Sequence, residues 1–143
     1  MSADVVEKAK KLVQEADHGH LATAEGDQPR VRPISIKWVG ERELWFATFA
    51  DSRKVDQIKA DAAVEVSFVD AQGSHVRVAG TASTTQDADS KSVADRQKLF
   101  ELMPGLAGYF DGPTDPKYML VKIAIRRVEY MGTGMLDYAT HEF

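Results

Sequence analysis

The sequence predicts a mainly β protein of the α+β class, a six-stranded antiparallel barrel covered by three helices. Three observations carry this expectation. Segments of strand composition follow one another through short turns at Glu25-Gly26-Asp27, Gly40-Glu41-Arg42 and Ala71-Gln72-Gly73. Sequential hairpins of this kind favour antiparallel pairing. The apolar period changes from two to about 3.6 at the start of the chain, in a short piece near its middle, and again before residue 104. A chain of 143 residues fits one domain with a substantial core, so residues 1–143 are expected to form a single domain.

Residues 3–17 have helical spacing, with Val5, Val6, Ala9, Leu12, Val13 and Ala16 separated by Lys and Glu, and predict a helix that covers one opening of the barrel. From Gly19 the period falls to two. His20, Ala22 and Ala24 alternate with Leu21 and Thr23 as the first strand. The second strand, from Pro29 to Val39, places Arg30, Arg32, Ile34, Ile36 and Trp38 on one face and Val31, Pro33, Ser35, Lys37 and Val39 on the other. Neither face is apolar, and a buried Arg32 or Lys37 needs a partner. Pro33 removes a ladder donor, which points to an edge, a bulge or backbone that faces a ligand. A third strand runs from Glu43, a fourth from Ala63 to Val69, and a fifth from about Ser74 to Thr85.

Helical spacing returns over Ala88 to Met103 through Val93, Ala94, Gln97, Leu99, Phe100 and Leu102, and Pro104 ends it. Residues 104–117 hold three prolines and three glycines together with Leu106, Tyr109 and Phe110. Those aromatics predict either a lid or contact with a second subunit. The sixth strand spans Tyr118 to Tyr130, and a short tail follows.

Composition excludes several classes. Hydrophobic content of 43% and charged content of 28% are ordinary for a soluble globular protein. No apolar run approaches the roughly 20 residues that span a bilayer. The first residues have a charged amphipathic pattern in place of a signal peptide, so a cytoplasmic protein is expected. The absence of cysteine excludes disulfides, thiolate metal sites and a cysteine nucleophile. A net charge of −4 without a basic block argues against nucleic acid as a partner.

The most informative stretch is Trp45 to Ile58. It begins as a strand with Trp45, Phe46, Thr48 and Phe49, turns at Ala50-Asp51-Ser52, and continues as a short helix with Val55 and Ile58 on one side. Asp51 or Ser52 stands at the N-cap position. Arg53 and Lys54 then put two cations in the first helical turn, where the helix dipole favours anions. Cations beside a hydroxyl and free backbone N–H groups suit a phosphate, although an exposed Arg-Lys pair is also tolerated without a ligand. His18 and His20 would share a strand face, but no third ligand or carboxylate cluster accompanies them and no metal site is assigned. No serine lies in a nucleophile elbow.

These segments resemble the flavin-binding split-barrel superfamily that includes pyridoxamine 5′-phosphate oxidase, in particular its small bacterial general stress branch. The resemblance covers about residues 18–131. It rests on Thr48 with Ser52-Arg53-Lys54, on Arg32-Pro33-Ile34-Ser35-Ile36-Lys37, on His75-Val76-Arg77-Val78-Ala79-Gly80, and on Phe110-Asp111-Gly112-Pro113-Thr114-Asp115-Pro116 with Val128-Glu129-Tyr130. It implies a homodimeric split barrel with FMN at the interface, FAD being possible. The phosphate would lie on Arg53, Lys54, Ser52 and Arg32 with Thr48 nearby. The strand through Pro33, Ile34, Ser35 and Lys37 would hold the ring and phosphate, and His75 would touch the ring edge.

The chain departs from the oxidases in two places. They resemble one another in a Tyr, Arg and Ser set on the helix after the fifth strand, where this chain has Arg96-Gln97-Lys98-Leu99-Phe100-Glu101-Leu102. They also share an Arg-x-His element near the C-terminus, where this chain has Tyr130-Met131-Gly132-Thr133-Gly134. The resemblance therefore implies an FMN-dependent oxidoreductase of an unidentified small molecule, not of pyridoxamine phosphate, with no catalytic side chain named. A flavin-binding or stress-associated module without turnover, and a deazaflavin- or haem-binding relative, are the alternatives.

Overall fold

The computed structural model describes residues 2–16 and 18–143. Three α-helices and eight strands form one mainly antiparallel sheet with covering helices. Helix α1 spans Ser2–Glu15 and is followed by β1 (Gly19–Glu25), β2 (Gln28–Ile34), β3 (Lys37–Val39) and β4 (Glu43–Phe49). Helix α2 (Arg53–Ala60) leads to β5 (Ala63–Val69) and β6 (His75–Thr85), then to α3 (Ser90–Leu102), a 3-10 turn (Pro104–Gly108), β7 (Tyr118–Met131) and β8 (Ala139–Glu142).

The expected six strands become eight for two reasons. The stretch from residue 29 to 39 is broken at Ser35 and Ile36, so that its halves are β2 and β3. Pro33 lies in β2, whose ladder partner is β1, and the edge position suggested by that proline is where the strand sits. The tail folds back and pairs with β7 from Arg127 to Tyr130 as β8, a strand too short and too polar to show a period. The expected first helix also ends earlier, at Glu15; position 17 lies outside the described residues.

The sheet of the expected barrel is antiparallel and is not closed. Its strand order is β2-β1-β5-β6-β7-β4-β3, with β8 attached to β7. The two ends of this path, β2 and β3, are consecutive in the chain and share no ladder. Strand β7 is the spine. One of its edges pairs with β6 through eleven residue pairs, while the other serves β4 near Tyr118–Ala124 and β8 near Arg127–Tyr130. The expected turns are present, with Gly26, Gly40 and Gly73 at φ of 63°, 67° and 89°, a region open to glycine without a Cβ penalty.

Two apolar clusters fill the fold. The larger joins Leu21, Leu44, Phe46, Val66, Phe68, Val76, Val78, Val121 and Ile123 of the sheet to Val5, Ala9, Leu12 and Val13 of α1 and to Val55 and Ile58 of α2. The periodicity of α1 thus specifies the face that covers the sheet. The smaller cluster holds Val39, Trp45, Leu99, Leu106, Phe110, Tyr118 and Leu120. Helix α3 departs from its apolar pattern: its buried residues are Ser92, Arg96 and Leu99, while Leu102 is exposed. No helix among the described residues is long and apolar enough to cross a membrane.

The spine requires a close approach at one point. The β6/β7 register shifts between Ala79 and Gly80, and a Cβ on Gly80 would meet the Ala124 carbonyl oxygen as well as Ile123 Cγ2, the latter at 2.6 Å. Backbone cannot yield there as a flexible side chain could. Gly80→Ala is expected to destabilise the protein by about 1–3 kcal/mol, the range for overpacking a filled core, as a lowered urea midpoint with an unchanged slope.

Candidate functional site

A cavity of about 1030 Å³ opens at the seam where β2 passes into β3. Pro33 and Ile34 at the end of β2, Lys37 at the start of β3, and the unpaired Ser35 and Ile36 between them form one wall. The end of β4 supplies Ala47, Thr48 and Phe49, and α2 supplies Lys54. The last residue of α3, Leu102, and the segment after it, through Met103, Leu106, Tyr109 and Phe110, supply another wall.

Of the aromatics in residues 104–117, for which a lid or a contact with a second subunit is expected, both Tyr109 and Phe110 line this cavity of their own chain. Phe110 is buried, stacked on Tyr118 with centroids 5.0 Å apart, and tilted against Phe49 at 5.0 Å. Tyr109 stays 66% exposed and meets Phe49 edge to face at 6.5 Å. Asp115 holds the following loop. Its carboxylate accepts the Asp111 and Lys117 N–H groups, each at 2.9 Å, and these bonds keep its pKa below the ordinary carboxylate value.

The polar end is cationic. Lys54 Nζ donates to Thr48 Oγ1 at 3.0 Å, and the Ser52 hydroxyl lies 3.4 Å from the same oxygen. Ser52 is the N-cap of α2 by backbone geometry, yet its side chain makes no capping bond. It is turned toward Thr48. Desolvation first, and the Arg32 guanidinium second, lower the pKa of Lys54 from its ordinary value. The charged lining side chains are Lys37 and Lys54, accompanied by His18 and His20, and no Asp or Glu lines this cavity among the described residues.

Arg32 lies beside this end and is held from below. It donates to the Leu21 carbonyl at 3.1 Å, to Thr23 Oγ1 at 2.8 Å and to Gln57 Oε1 at 2.9 Å, while Thr23 donates to the same Gln57 oxygen at 2.6 Å. These neutral acceptors fix the guanidinium without cancelling its charge. Burial lowers its pKa, and Arg30 adds to the effect. Arg53 is treated differently. It is paired with Glu25 at 3.3 Å and its side chain is 76% exposed. Glu25 also accepts from Arg30 and Gln57, and these bonds, Arg30 first, hold its pKa down.

Of the ten residues expected at the site, Pro33, Ile34, Ser35, Lys37, Thr48 and Lys54 line the cavity. Ser52 and Arg32 adjoin its polar end. Arg53 faces Glu25 on the surface. His75 is not brought to the cavity of its own chain: it pairs with Met131 on β7, whereas Thr48 pairs with Met119, twelve residues away. Its Nε2 lies 2.7 Å from the Tyr138 hydroxyl. The sequence reading passed over Gln57, a buried polar residue between Val55 and Ile58, although a polar side chain on an apolar helix face is the signal that could have found it. It also missed Phe49 and Met103 in the walls, and His18 and His20 as lining residues.

The sheet thus opens at its seam into a cavity that is cationic at one end and aromatic at the other. The family description "Pyridoxamine 5'-phosphate oxidase" matches residues 5–132, and the chain belongs to this family. Among solved structures, general stress protein 26 from Bacillus anthracis is 23% identical, with 97% of this chain and 98% of that chain covered and a TM-score of 0.79. A NimC/NimA family protein from Clostridium acetobutylicum is 19% identical, with 99% and 94% covered and a TM-score of 0.80. A heme binding protein from Mycobacterium smegmatis is 17% identical, with 95% of this chain and 57% of that chain covered and a TM-score of 0.76. At these identities the likeness is one of fold. A search of curated protein sequences finds no match.

The Asp115 turn is a test of the cavity wall. A carboxylate with a lowered folded-state pKa contributes stability above its unfolded value, and the contribution is lost as pH falls through the lowered pKa. Asp115→Asn is expected to lower the thermal midpoint at pH 7. The gap from the parent protein should narrow as acid is added below the ordinary value of 3.8. Melts at pH 7 and pH 3 check the sign.

Proposed function

We propose that this protein is a single-domain FMN-binding flavoprotein and an oxidoreductase of an unidentified small molecule. The observation that carries this reading is the division of the seam cavity. One end holds Lys54, Thr48 and Ser52 with Arg32 behind them, and no carboxylate lines it. The other end is walled by Phe49, Leu106, Tyr109 and Phe110. A phosphate joined to a flat aromatic ring has the complementary division. The dianion would sit on Lys54, Ser52, Thr48 and Arg32, with Arg53 recruited from its exposed and weak pair with Glu25. The end of β2 at Pro33 and Ile34, with Ser35 and Lys37, would hold the ring. FAD presents the same phosphate chemistry and is the nearest variant.

When bound, a flavin supplies the redox chemistry, and the chain's residues position it and set its electrostatics. Helix position and hydroxyls hold the phosphate, and the lid segment excludes water from one ring face. A homodimer goes with this reading. Phe49 and Tyr109 are 42% and 66% exposed at the mouth, and the edge strand β2 shows Val31 to solvent. His75, far from the cavity of its own chain, would reach a ring only from a second copy. A cytoplasmic location is part of the same proposal. The missing oxidase motifs argue for a substrate other than pyridoxamine phosphate. A second reading, haem, is favoured by His18 and His20, two imidazoles that line the cavity.

The electrostatics of the cationic end give a test with two signs. A cation whose pKa is lowered on folding costs stability at neutral pH, and the cost begins to fall as pH rises through the folded-state pKa and is gone above the unfolded-state one. Lys54→Met is therefore expected to raise or preserve the thermal midpoint of the ligand-free protein. It should also weaken FMN binding by about tenfold or more, as befits loss of a charge-assisted bond. Arg53→Ala should weaken it less. The absorbance spectrum, followed by fluorescence titration with FMN, FAD, a deazaflavin and haem, checks these outcomes. Unchanged FMN affinity in Lys54→Met removes the phosphate assignment, and a Soret band without flavin binding moves the haem reading ahead.

A further inference from the structure

A second cavity, of about 330 Å³, lies between the start of α3 and the loop before β7, and shares no lining residue with the first. Its walls are Gln86, Ala88, Val93, Arg96, Thr114 and Pro116. Arg96 is the anomaly. It is only 3% exposed, in the middle of a helix whose other buried residues are Ser92 and Leu99. A guanidinium carries five N–H donors and remains charged. Here Nη2 donates to the Asp87 carbonyl at 2.7 Å, and Nε is buried without a partner. The guanidinium carbon is 6.0 Å from the Tyr118 ring centroid.

No carboxylate among the described residues lies within ion-pair distance of Arg96. The aspartates on neighbouring segments are engaged elsewhere. Asp89 accepts the Ser92 N–H at 3.0 Å, Asp95 pairs with Lys91 and Lys122, and Asp115 accepts two backbone N–H groups. Asp87 offers its backbone oxygen. Gln86 is also committed, since its Nε2 donates to the Tyr118 carbonyl at 3.2 Å. Anchoring α3 to the Asp87 carbonyl needs one neutral donor; a buried cation with spare donors beside a void exceeds that need. A buried charge is retained where something of opposite charge meets it.

We infer that this cavity binds a small oxyanion, a carboxylate or a phosphate group, on the Arg96 guanidinium with the Thr114 hydroxyl nearby. The planar fork suits either group through paired N–H···O bonds. The positive charge argues against a cation as occupant, and the orphaned donors argue against an apolar one. The site is independent of the flavin proposal, because none of its residues belongs to the seam.

The test is a titration of inorganic phosphate, and separately of acetate, into 15N-labelled protein carrying Lys54→Met, which removes the phosphate end of the first cavity from the measurement. The arginine Nε–Hε resonances are followed, with the Arg96 signal assigned by its loss in Arg96→Lys. A saturable shift confined to Arg96 is expected, together with a rise in thermal midpoint that Arg96→Gln abolishes. Saturation by phosphate alone assigns a phosphorylated ligand, and saturation by acetate assigns a carboxylate. An Arg96 signal that stays fixed, or that drifts linearly with the other arginines and equally in chloride, overturns the inference.

Discussion

The two-residue link between β2 and β3 is the constraint on which the rest of the structure depends. Three virtual bonds join Ile34 to Lys37, so the first and last strands of the sheet path can be no more than about 11 Å apart at that point. The sheet must curl to bring them there. Curling creates the interior that α1 and the larger apolar cluster fill. The link itself, Ser35 and Ile36, carries no ladder, since β2 ends on its pairing with β1 and β3 begins on its pairing with β4. A gap therefore remains in the wall, and that gap is the cavity. Fold and site are thus consequences of one short connection, with the spine β7 tying β6, β4 and β8 together.

Electrostatics at the seam follow from how the cations are satisfied. Five cationic or acidic side chains lie near one another there: Arg30, Arg32, Arg53, Lys54 and Glu25. Glu25 takes the two arginines nearest solvent. Arg32 and Lys54 are left with neutral oxygens, from Thr23, Gln57, Leu21 and Thr48. Neutral acceptors orient a cation and leave its field intact, whereas a carboxylate would cancel it. Burial then raises the cost of that charge, which is the condition under which an arriving anion gains most. The same two features, orientation without neutralisation and partial burial, recur at Arg96 on a smaller scale.

Much of this was legible in the sequence because it depends on local chemistry. Turns at Gly26, Gly40 and Gly73 need residues that accept positive φ, and alternation along β5 and β6 reports one buried face. The Ser52-Arg53-Lys54 run marks the helix start correctly. What local patterns could not report were features set by distant neighbours. The break at Ser35 and Ile36 keeps the period of two on paper, since only the closure of the sheet demands it. The tail pairs with β7 through backbone groups, which have no sequence signature. Arg53 was expected to face the ligand, and it faces Glu25, which lies 28 residues earlier and is delivered by a hairpin. The buried face of α3 runs through Ser92, Arg96 and Leu99, so the apolar residues of that helix gave its existence and not its orientation.

Tyr118 explains that orientation. Its ring is fully buried and stacks on Phe110, while its hydroxyl donates to the Arg96 carbonyl at 3.1 Å. Burial pushes its pKa well above the ordinary phenol value, so the hydroxyl keeps its proton and remains a donor. A tyrosine at the start of β7 therefore fixes the lid aromatic with its face and the rotation of α3 with its tip. Rotation of α3 in turn decides that Arg96 is buried, while Val93 is half-buried and Leu102 is exposed. The wall of the large cavity and the cation of the small one are held by the same side chain. A phenylalanine there would keep the stacking and lose the bond to α3, which separates the two functions of this residue: the lid depends on its ring, and the buried arginine depends on its hydroxyl.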